Sequence, residues 1–154
     1  MRRHNIIIAI LIGLLLFSGF LRDYIMQNIN HVLKFLTTNS PNFSVEAFYF
    51  LENWTVEDIV ALKWGLTIVF LIYFWAISYT FIRVYFINKQ KAGKSITILY
   101  LAILLISGLL YGFGKISGFN EEMYPIVRTL TGLSHSFMPA MLVFLYLKYI
   151  PEQK

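Results

Sequence analysis

Five residues near the C-terminus carry most of the chemistry available to this sequence. In "YPIVRTLTGLSHSFMPAMLVFLYLKY", Arg128, Thr131, Gly132, His135 and Pro139 follow one another at three- and four-residue steps. On a helix that spacing puts them on one stripe. His135 falls roughly 16 Å below the start of this apolar segment at the helix rise, near mid-membrane for a segment that spans a bilayer. Pro139 cannot donate to the carbonyl of His135, and its ring crowds that oxygen, so a kink is expected there. The stripe then offers an imidazole, a freed carbonyl and the nearby hydroxyls of Ser134 and Ser136. Ser107, Tyr111 and Lys115 form a second polar stripe on the preceding apolar segment, placed to face Arg128 or His135. Polar groups in lipid are costly and need a partner or a purpose. A proton relay, a quinone or lipid-headgroup contact and a metal ligand all fit these residue types. So does a histidine hydrogen-bonded to a neighbouring helix, which is the commoner use.

Catalytic constellations are thin. Ser134 and Ser136 flank His135, but adjacent helical residues point about 100° apart, and a base must reach its nucleophile. The chain has no cysteine, so thiolate catalysis, Cys-ligated metal sites and disulfides are excluded. His4, His31 and His135 are too scattered for paired haem ligation, and no zinc-ligand spacing involves Glu121 or Glu122. Gly93-Lys94-Ser95 ends like a phosphate-binding loop, yet Asn88 stands where the first glycine belongs. The chain therefore reads as non-catalytic, without a metal or a cofactor.

The elements that must position these residues follow from composition. Of 154 residues, 58% are hydrophobic and 14% charged, against roughly 25% charged in soluble domains. A lipid bilayer is the expected surrounding. Four apolar segments are long enough to cross about 30 Å of hydrocarbon as helices, at 5–21, 59–82, 95–113 and 124–150. They lack the alternation of a membrane β-barrel. The expected fold is one all-α domain, 1–154, a four-helix membrane bundle. Four spans leave both termini on one side, with eight basic residues there against the single acid Glu152. The other side has five basic residues against seven acids. The basic excess marks the cytoplasmic face, so a bacterial inner-membrane protein with cytoplasmic termini is expected. The formal charge of +5 is then a topogenic signal, not a nucleic-acid-binding surface. The first segment reads as a retained anchor, because cleavage after Gly19 would put bulky Phe17 three residues before the cut.

Residues 22–58 form the longest connection. "FSGFLRDYIMQNIN" leaves the apolar run at Arg22-Asp23, which reads as a hinge at the outer membrane surface. Beyond it Ile25, Ile29, Val32, Leu33 and Leu36 share one helical face, and Gln27, Asn30, His31 and Lys34 the other. This amphipathic helix is expected to lie across the bundle as a lid. "TTNSPN" then supplies a turn, Ser44 can cap a short helix over 45–52, and "TVED" is a capping box that starts the second span at Val56. In the third span Gly108, Gly112, Gly114 and Gly118 provide four-residue small spacings that let another helix approach. Tyr73, Trp75, Tyr79 and Tyr85 suit an interfacial belt and packing.

At "FSGFLRDYIMQNIN", "LKWGLTIVF" and "YPIVRTLTGL" the chain resembles small bacterial exosortase-associated four-span membrane proteins. That resemblance implies an accessory to a membrane transpeptidase-like enzyme, in surface-protein sorting or polymer export. It supplies no active-site residues to carry over, and the absent cysteine rules out the processing enzyme itself. The expected function is a non-catalytic accessory or assembly subunit, embedded in the lipid bilayer, that binds another membrane protein or itself. The alternative is a small-molecule site for a lipid, quinone or proton around Arg128, His135 and Tyr111.

Overall fold

A computed structural model describes residues 2–38, 46–86 and 91–149. The turn at 39–44, the Ser44 cap, most of the basic loop at 87–90 and the end of the fourth segment at Ile150 lie outside the described residues. The first helix, α1, runs over Arg2–Thr38. It passes through Arg22-Asp23 without a break, which corrects the expected hinge and lid. The cause is local: no glycine or proline lies between Phe20 and Thr38, so nothing there opposes helix propagation. The amphipathic face is real but has a different partner. Ile29 and Val32 are buried with Leu51 and Ile59, flanked by Ile25, Leu33, Leu36, Leu62 and Leu66. Their apolar surface is covered by the second long helix and a short 3-10 turn, Glu46–Leu51, and not by lipid.

Helix α2 spans Val56–Tyr85, and its start is fixed by the Thr55 capping box. The Asp58 N–H donates to Thr55 Oγ1 at 3.2 Å, and the Thr55 N–H donates back to Asp58 Oδ2 at 3.1 Å. These reciprocal bonds satisfy donors that the first helical turn leaves orphaned. Antiparallel pairing with α1 is set at two heights, by Ser18 with Tyr73 at 2.8 Å and by Lys63 Nζ with Asn30 Oδ1 at 2.7 Å. Helix α3, Ala92–Ser117, closes on Gly118 at φ 82°, a left-handed position that glycine takes without strain. Helix α4 follows at Asn120–Ser134. Gly114 is where the two meet, since a Cβ there would sit 2.9 Å from Met123 Cβ.

The expected continuous fourth span, 124–150, is instead two helices, with α5 over Met138–Tyr149 bent by 64° from α4. The break lies before Pro139, which occupies the second position of α5, where a missing N–H interrupts no helical bond. The serines close the gap. Ser134 Oγ donates to the Thr131 carbonyl at 2.7 Å and Ser136 Oγ to the Leu133 carbonyl at 2.7 Å. Ser136 Oγ also accepts from the Met138 N–H at 3.2 Å. About 22 Å of α4 and about 18 Å of α5, set at 64°, give an end-to-end reach of about 34 Å. Among the described residues three helices are long and apolar enough to cross a membrane, or four when this bent pair counts as one span.

A second apolar cluster joins Leu15, Phe74, Phe81, Ile82, Ile96, Tyr100, Val143 and Leu147. On α1 the two clusters are separated by buried Ser18 and half-buried Arg22. Outside them large apolar side chains cover the surface, with Phe20 76% and Ile116 90% exposed. These are the helices of a membrane protein, which leaves such side chains to lipid.

Candidate functional site: a cationic cavity among the helices

Between the two apolar clusters lies a cavity of about 940 Å³. Helix α1 contributes Arg22, Asp23, Met26, Gln27 and Asn30, and α2 contributes Val60, Lys63, Trp64 and Thr67. The end of α3 brings Tyr111 and Lys115, and α4 brings Glu121, Tyr124, Arg128, Thr131 and Gly132, with His135 at the break. The spacing of the α1 residues, one or three to four apart, turns a single polar face of the helix inward. That face adjoins the one buried against Ile59, and Leu33 belongs to both. Helices α1 and α4 share at most a marginal backbone contact across the cavity, whereas α2 and α3 pack together at its back.

Arg128, His135, Tyr111 and Lys115 thus come together on one wall set. Ser134 does not join them, because its hydroxyl is spent on the Thr131 carbonyl. Ser107 is buried with no partner for its Oγ and lies off the cavity wall. Gly108 and Gly112 have nothing within 4 Å of a built Cβ, so this part of α3 faces outward. Gly118 serves as a helix cap, and Pro139 is fully buried at the start of α5. Tyr73 pairs with Ser18, and the Trp75 indole N–H donates to Thr97 Oγ1 at 3.3 Å.

The electrostatics are unbalanced. Four cations and two carboxylates line the cavity. Among the described residues the single ion pair is Arg22 Nη1 with Asp23 Oδ1, at 2.6 Å. Among the described residues Lys63, Lys115 and Arg128 have no carboxylate within 4 Å, and Arg128 stands near enough to Lys63 to repel it. Like charges in a partly desolvated space are unfavourable until an anion joins them.

At the foot of the cavity His135 is 2% exposed. Its Nδ1 lies 3.5 Å from Arg22 Nη2, the long limit of a hydrogen bond. A guanidinium only donates, so Nδ1 accepts and the ring proton resides on Nε2. The Thr67 backbone lies in hydrogen-bonding reach of the imidazole, though Nε2 makes no bond of good geometry, and Arg22 Nε is likewise buried and unpaired. Two donors are therefore buried beside the cavity wall without an acceptor, and a ligand oxygen reaches them only when the side chains around them shift. A buried donor left so costs about 1–3 kcal/mol, which a ligand oxygen would recover. No three His, Cys, Asp or Glu side chains cluster among the described residues.

Two parts of this site are absent from the sequence reading. Arg22 lines the cavity from within an unbroken helix. Lys63, Asn30, Trp64 and Thr67 were not singled out, although Lys63 is a lone cation inside an apolar run, which is itself a signal. Comparison with protein-family models, with curated proteins and with solved structures finds no match.

Proposed function

We propose that this chain is a multi-pass membrane protein whose cavity binds a small anionic ligand. The observation that carries this reading is the pair of buried donors, His135 Nε2 and Arg22 Nε, which lack acceptors at the foot of a cation-rich space. Arg128 supplies a forked donor, Arg22, Lys63 and Lys115 add positive charge, and the aromatic rings of Trp64 and Tyr111 meet edge-on at 6.3 Å on the wall. No side chain is placed for covalent chemistry, so the role is binding and not turnover. Taking α4 and α5 as one span gives four crossings. With the basic excess on the side of both termini, that favours a bacterial inner membrane with cytoplasmic termini. The cavity then faces the non-cytoplasmic side.

Detergent-solubilised protein tests this reading. Sodium pyrophosphate at a hundredfold excess over its dissociation constant should stabilise the fold by about 2.7 kcal/mol, read as a rise in melting temperature. Sodium chloride of equal ionic strength should not. An equal shift with both salts would remove the binding site and leave only ionic screening.

A second reading keeps the accessory role suggested by the exosortase-associated resemblance. The open face at Gly108 and Gly112 favours it, since small residues admit a helix of another membrane protein. Cross-linking from this face in native membranes should then capture a partner that Gly108→Leu abolishes. A chain that stays monomeric and uncross-linked would end this reading.

A further inference from the structure

We infer that the anion is the phosphomonoester or diphosphate headgroup of a membrane lipid, which enters sideways between α1 and α4. This rests on the anion-binding reading above and adds the ligand's class and its route.

Charge sets the headgroup. The lining leaves two positive charges uncompensated, which a dianionic phosphomonoester or a diphosphate neutralises and a phosphodiester only halves. The donor geometry agrees, because His135 Nε2 and Arg22 Nε require acceptor oxygens and the cations carry no competing ion pair except Arg22 with Asp23.

Depth sets the source. The apolar run Asn5–Leu21 rises about 25 Å, so Arg22 stands near one boundary of the roughly 30 Å hydrocarbon layer. Lipid phosphates lie just beyond that boundary, beside Met26 and Asn30, the cavity residues next above Arg22 on α1.

The opening sets the route. Helices α1 and α4 share at most a marginal backbone contact, and on α1, below the cavity residues Asp23 and Gln27, Leu16 and Phe20 are exposed. An acyl or other hydrocarbon chain can lie along these side chains while its headgroup reaches inward. Gly132 on the α4 wall has nothing within 4 Å of a built Cβ, so headgroup-sized space remains beside Arg128 and His135.

Brominated lipids test the inference through Trp64. The chain has three tryptophans, so Trp54→Phe with Trp75→Phe leaves Trp64, on the cavity wall, as the single reporter. The protein is reconstituted in phosphatidylcholine vesicles containing a small share of acyl-brominated phosphatidic acid, phosphatidylglycerol or phosphatidylcholine. One charge-assisted hydrogen bond is worth about a tenfold change in affinity. Brominated phosphatidic acid should therefore half-quench Trp64 at about one-tenth the mole fraction that brominated phosphatidylcholine needs, with phosphatidylglycerol between them. Gly132→Met, which fills the space without removing a charge, and Arg22→Gln should each abolish the preference. Equal quenching by all three lipids, with pyrophosphate still raising the melting temperature, overturns the lipid inference and leaves the anion site. Equal quenching with no pyrophosphate effect overturns both. A preference that survives both substitutions places the lipid elsewhere and also overturns the inference.

Discussion

Gly114→Ala and Gly132→Ala make the same chemical change in helices and should move stability in opposite directions. In a helix interior, alanine is favoured over glycine by about 0.5–1 kcal/mol. At Gly132, in the last turn of α4, the new methyl meets nothing within 4 Å, so part of that gain should appear, about a twofold rise in the folded-to-unfolded ratio. At Gly114 the methyl would lie 2.9 Å from Met123 Cβ and 3.2 Å from Cγ. Those atoms are the stem of Met123, tied to the α4 backbone, and cannot swing aside. Overpacking of this kind costs about 1–3 kcal/mol, which outweighs the propensity gain. The two variants should thus differ by roughly 1–3 kcal/mol. Far-UV circular dichroism of the protein in mixed micelles, followed through a denaturing-detergent titration, measures both. Destabilisation by Gly132→Ala would mean that the wall beside Arg128 is closed, and the cavity geometry would be wrong. Stabilisation by Gly114→Ala would mean that α3 and α4 do not meet at Met123.

Further outcomes follow from individual bonds. Thr55→Ala removes the capping box at the start of α2 and should cost about 1 kcal/mol in the same titration; no change would mean that the helix is fixed from elsewhere. Ser78 and Tyr100 share a buried hydroxyl contact of 3.2 Å. Ser78→Ala alone should cost about 1–3 kcal/mol by orphaning the phenol, and Ser78→Ala with Tyr100→Phe should cost less than the single change. Additive losses would contradict the pairing. Lys63→Gln retains a donor for Asn30 and relieves the repulsion with Arg128. Anion-free stability should hold or rise, while pyrophosphate binding weakens about tenfold; a ligand-free loss of stability would show that Lys63 is satisfied in some other way.

Sequence and structure agree where the deciding interaction is local. Thr55 and Asp58 specify the α2 start within four residues, and the three- and four-residue steps from Arg128 to His135 put those side chains on one wall. They part where tertiary partners decide. Residues 24–36 have the same periodicity whether their apolar face meets a membrane surface or a helix, and burial against Ile59 and Leu51 is a long-range choice. The place of Arg22 at the end of the apolar run was legible, but nothing local connects it to His135, 113 positions away. Pro139 pointed to a kink, but the break lies earlier because Ser134 and Ser136 satisfy the freed backbone groups at that point. The "SHS" triplet, unsuited to a triad, is the chemistry of a helix end.

The tautomer and ligand response of His135 test the central claim most directly. Imidazole ¹⁵N spectra of the purified protein would be recorded with and without pyrophosphate, the His135 signals being assigned by their loss in His135→Gln. A protonated Nε2 and a bare Nδ1 are expected, as the Arg22 contact requires. Pyrophosphate should shift the Nε2 signal, and Arg22→Gln should remove that response. A proton on Nδ1, or an Nε2 signal indifferent to the anion, would contradict the account.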